Sequence, residues 1–87
     1  MKIEQAASHL ALAIKVMSDM VDFSSILTYG DEIAVHVYKE SLDLIPSDSV
    51  IVDRESEKYP GELQKKFQGI MFFRVLDVAE YNELKKA

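Results

Sequence analysis

The sequence predicts an α+β fold: a small antiparallel sheet of about three strands, a long N-terminal helix packed on one face, and a short C-terminal helix. Three observations carry this reading. Apolar residues recur with helical spacing over residues 3–22. Two β-rich runs, at 33–38 and 70–76, are flanked by turn residues. Asp77 and Glu80 then stand at the separation of a capping box just before a second amphipathic stretch.

The first helix is the clearest element. Ile3, Ala6, Ala7, Leu10, Ala13, Ile14, Met17, Met20 and Val21 follow the i, i+3, i+4, i+7 rule, and no Gly or Pro interrupts them. Ala, Leu, Met, Lys and Glu dominate, and all are strong helix formers. The stripe begins with small residues and ends with large ones, so its first half suits a close neighbour and its second half a roomier seat.

Residues 22–31 change character. Ser24, Ser25, Thr28, Gly30 and Asp31 are turn chemistry, with Ile26, Leu27 and Tyr29 as a short extended piece. The run Ile33 to Tyr38 alternates with period two and predicts a strand, with His36 and Tyr38 on one side of it. Leu42–Ile45 reads as its extension or as a separate short strand. Pro46–Ser49 is a turn, and Val50–Val52 opens the next strand. Tyr59-Pro60-Gly61 is a second break, after which Leu63 and Phe67 sit at i, i+4 and predict one or two helical turns. Residues 70–76 are apolar on both faces apart from Arg74, the pattern of a central strand. Val78, Tyr81 and Leu84 make the last helix, with Lys85 and Lys86 where the helix dipole favours cations. The order is α-β-β-(α)-β-α, and 87 residues make one domain, 1–87.

Composition narrows the function. Ten basic and fifteen acidic residues leave a net charge of −5. Three basic and seven acidic groups fall in residues 1–45, against seven and eight in 46–87. An acidic surface repels phosphate backbones and anionic lipid, so direct nucleic-acid binding and a membrane role are not expected. With no cysteine, disulfides and thiolate metal sites are excluded, and a cytoplasmic home is the expectation. The opening residues include Glu4, Gln5, Ser8 and His9 and lack the continuous apolar core of a signal peptide. No glycine-rich phosphate loop, no paired-histidine metal motif and no Gly-x-Ser-x-Gly nucleophile motif occurs. No cofactor and no metal are therefore expected.

Two surfaces are candidate partner sites. Leu12 and Val16 lie opposite Leu10 on the first helix, and Phe23 joins them if the helix runs that far. A sheet face carrying His36, Tyr38, Phe72 and Arg74 would make a mixed aromatic and polar patch, provided the two strands present those residues on the same side. The expected function is a small non-enzymatic binding or regulatory module, working through protein–protein contacts as a homodimer or accessory subunit. The first alternative is an acidic inhibitor of a nucleic-acid enzyme, with Asp19, Asp22, Asp31, Glu32, Glu40 and Asp43 imitating phosphates. The second is a small enzyme using His36 as general base.

Overall fold

The structure, a computed structural model, describes residues 2–86. Its elements are α1 (Ile3–Met20), β1 (Phe23–Tyr29), β2 (Glu32–Val37), α2 (Lys39–Leu42), β3 (Ser49–Asp53), β4 (Gly61–Phe67), β5 (Ile70–Leu76) and α3 (Val78–Lys86). The chain is α+β, with a long N-terminal helix and a five-stranded mixed sheet of order β1-β2-β5-β4-β3.

The sheet is larger than the expected three strands, and it is not purely antiparallel. β3, β4 and β5 form an antiparallel meander, β1 and β2 a hairpin, and the two units join through the parallel pair β2–β5. β5 is central, as its two-sided apolar character predicts. Register sorts the side chains. Val35 lies beside Phe72, Ile33 beside Ile70, Phe72 beside Lys65 and Ile70 beside Phe67, so these share one face. Ala34, His36, Met71 and Phe73 share the other.

Everything helical that touches the sheet touches the first face. α2 and the turn after it lower Leu42 and Ile45 onto Val35, Val37 and Phe72, with Val21 beside them. Leu42 and Leu76 are 0% exposed and Val37 1%. α3 closes the far end. The backbone N–H of Glu80 donates to Asp77 Oδ1 at 2.8 Å and that of Asp77 to Glu80 Oε1 at 3.4 Å, the expected capping box. The Tyr81 ring lies over Gly61, where any Cβ would collide with it. Among the described residues no helix covers the second face.

Two expected elements change type. Residues 62–67 form strand β4 instead of helical turns. Leu63 and Phe67 share a side in either conformation, because a separation of four is both one helical turn and two strand repeats. What decides is the next turn. Gln68 (φ 53°) and Gly69 (φ 77°) both take left-handed backbone, which fits the tight hairpin that folds β4 onto β5. Leu42 ends a short helix and does not extend β2. Residues 23–29, expected to be mostly turn, make edge strand β1. A bulge between Phe23 and Ser25 breaks the alternation that would have announced it.

The largest departure concerns α1. It ends at Met20, with Val21 already extended, and it does not pack along the sheet. None of its residues is buried; only Ala6 and Met17 are half-buried. Leu10, at the centre of the stripe, is 60% exposed, and Leu12 on the opposite face 63%. The molecule measures 49 × 25 × 20 Å, with a radius of gyration of 14.7 Å. A compact chain of this length would give about 12 Å.

Candidate functional site

α1 is an arm with a fixed root. The Val21 N–H donates to the Met17 carbonyl at 2.9 Å, and Val21 itself is buried in the core. One residue on, the Asp22 N–H donates at 2.7 Å to the hydroxyl of buried Ser41, and the Tyr38 N–H donates to the Asp22 carbonyl at 3.0 Å. These bonds tie the helix exit to both β2 and α2. At 1.5 Å per residue the arm beyond this root is about 25 Å long.

At the root lies an apolar groove of about 550 Å³, walled by Met17 and Met20 from α1, Leu44 and Ile45 from the turn after α2, and Phe67 and Ile70 from the β4–β5 hairpin. Met17 and Met20 belong to the stripe as well as to the groove. The stripe thus runs from Ile3 down the helix and into the groove as one continuous apolar surface. Ile3 is 77% exposed, Met20 70% and Leu44 64%. Beside the root, Asp19, Asp22 and Glu40 line a shallower depression.

The residues singled out from sequence are dispersed. Leu12 and Val16 are exposed on the arm, away from the stripe. Phe23 is not on the helix: it opens β1 and packs against the core, because α1 ends three residues before it. His36 and Phe72 do not share a face, since register places Phe72 beside Val35 and Phe73 beside His36. The His36 ring stacks on Phe73 instead, with centroids 5.0 Å apart. Tyr38 lies beyond the end of β2 and caps α2. His36, Tyr38 and Arg74 line a shallow depression at the ends of β2 and β5, together with Lys39 and Glu80.

Sequence reasoning missed one feature of this end. The β1 bulge brings Ser24 Oγ to 2.8 Å from His36 Nδ1. A hydroxyl beside an imidazole can be a nucleophile and its base, but such a pair needs a group to orient the ring and donors for an oxyanion. Among the described residues no carboxylate bonds the ring, and Ser24 also reaches back to the His36 carbonyl. The contact ties an edge strand to its neighbour. Arg74 is likewise engaged, donating to Glu80 Oε2 at 2.8 Å, with Lys39 3.6 Å from the same oxygen. Burial pushes the Glu80 carboxyl up, but the Arg74 hydrogen bond, the Asp77 amide and the two cations outweigh it and hold the group below its ordinary range. Across the sheet, the hydrogen bond from Tyr81 and the charge of Lys85 lower Asp53, and the same bond raises the Tyr81 hydroxyl. These charges fasten α3 to the sheet.

Of the six carboxylates considered as a phosphate-like stripe, Asp19, Asp22 and Glu40 stay together beside the root, and Asp31 and Glu32 do not join them. Asp31 and Glu32 stand at the β1–β2 turn, one seven-residue strand away from Asp22, which is about 23 Å. Among the described residues no group of three His, Asp or Glu converges as a metal site, and no helix is long and apolar enough to cross a membrane. No protein-family model matches the chain, and neither a curated protein nor a solved structure matches it.

Proposed function

We propose that the chain is a non-enzymatic protein-binding module, acting as a homodimer or as an accessory subunit, and that α1 is its contact arm. A single observation carries this reading: an 18-residue amphipathic helix leaves its apolar stripe exposed at Ile3, Leu10, Ile14 and Met20, while Met17 and Val21 at its root are fastened to the core. Most helical stability in proteins comes from packing an apolar face and not from propensity. A stripe of this kind is therefore a surface awaiting a partner. The His36, Tyr38 and Arg74 depression supports the reading less well, because its charges are already paired within the chain.

The test is a pair of variants judged by association. Leu10→Glu puts a charge at the centre of the stripe and abolishes association, while the fold keeps its unfolding midpoint. Arg74→Ala, at the sheet end, leaves association intact. Association that survives Leu10→Glu and is lost in Arg74→Ala would move the binding surface to the depression and defeat this reading.

A further inference from the structure

Granting α1 its role as a contact arm, we infer that its partner is a second copy of this chain, laid antiparallel along the stripe so that each arm ends in the groove at the other's root. The stripe is self-complementary in that direction. Ile3 of one copy falls beside Met20 of the other, Ala6 beside Met17, and Leu10 beside Ala13. At two of these three levels a small side chain faces a large one, as close packing of two helices requires. The parallel alternative stacks Met17 on Met17 and Ala6 on Ala6, crowding one end and leaving a gap at the other.

The groove supplies the second half of the fit. Because Met17 and Met20 belong to both surfaces, a helix lying on the stripe runs straight into the space between Leu44 and Phe67. Its leading residue there is Ile3, the most exposed large apolar side chain of the arm at 77%. A two-fold axis through the middle of the helix pair then fills both grooves at once, which is a closed, isologous contact. Charge agrees with the direction: Lys2 of each copy arrives at the end where the other carries Asp19, Asp22 and Glu40. Antiparallel helices also place opposite dipole ends together.

The area is of the right order. Burying a large aliphatic side chain removes on the order of 100 Å² from water. Ile3, Leu10, Met20 and Leu44, each at least 60% exposed, bring about 400 Å² per copy on that basis, and the less exposed Ile14, Met17 and Phe67 add a smaller share. A standard stable interface needs about 800 Å² per partner.

The chain has no cysteine, so introduced ones report cleanly. Single variants Ala6→Cys and Met17→Cys are mixed and oxidised, and the full-length protein is sedimented alongside. The expected result is a dimer mass, a disulfide between position 6 of one copy and position 17 of the other, and little self-linking of Ala6→Cys. In this arrangement two copies of position 6 lie about 16 Å apart along the axis. Self-linked Ala6→Cys overturns the antiparallel seat but leaves the arm as the contact surface, provided Leu10→Glu still separates the copies. A dimer indifferent to Leu10→Glu overturns both the seat and the arm. A strict monomer at high concentration overturns the second copy as the partner.

Discussion

Leu42 and Leu10 are both leucines on the apolar side of a helix, and they meet opposite fates. Leu42 sits in a four-residue helix that could not persist alone, yet it is 0% exposed over Val35, Val37 and Phe72. Leu10 sits in an 18-residue helix with strong propensity throughout, and it is 60% exposed. Propensity therefore explains neither position. α2 is a helix because the core beneath it needs a roof, whereas α1 is a helix whose apolar face meets its own chain only at Met17, near its root. The sheet and its roof are the folding unit, and the arm is the surface that unit presents.

The sharpest way to break this contrast is to truncate both leucines. Leu42→Ala should cost about 2–5 kcal/mol of unfolding free energy, the range for a cavity in a closed core. Leu10→Ala should stay within about 0.5 kcal/mol for the monomer, as for an exposed site. Denaturant titration at low protein concentration measures both. Equal losses would mean that the arm is part of the core.

Next in size is Gly61→Ala, which forces the Tyr81 ring off the sheet and should cost about 1–3 kcal/mol, the range for overpacking. A fall in helix content by circular dichroism, no larger than the 9 residues of α3 can account for, should accompany it. Gly69→Ala, at φ 77°, should cost about 1–2 kcal/mol by placing a Cβ on left-handed backbone. Gln68→Asn should return a few tenths, since asparagine suits that corner better.

The smallest effect is electrostatic. Glu80 has its folded carboxyl held below the ordinary value, so the stability it contributes is present above that ordinary value. It is lost as the pH falls through the lowered one. The difference between the wild type and Glu80→Gln should therefore be constant near neutrality and vanish in acid. A difference that grows on acidification would contradict the Arg74–Glu80 pairing.

How much of this was legible in the sequence follows the same divide. β2, β3, β5, α3 and its capping box were readable, because local chemistry and tertiary role agree there. β4 was not, because Leu63 and Phe67 fit both periods and the polar Glu62, Gln64 and Lys66 look like a solvated helix face. They lie instead on the sheet face that carries no helix. β1 was hidden by its bulge. α1 was found within two residues, but periodicity reports only that a face wants cover and is silent on which chain supplies it. The patch of His36 with Phe72 failed on register, since a shift of one residue moves a side chain to the other face.

Amide hydrogen exchange along α1, followed as protein concentration is raised, tests the central claim most directly. If the stripe is bare in the single chain and covered by a partner copy, amides from Ala6 to Ile14 exchange fast in dilute solution. They become protected as copies associate, while β2 and β5 stay protected throughout. Strong protection of those α1 amides in dilute monomer would mean that the helix lies on its own sheet, and the arm would not exist.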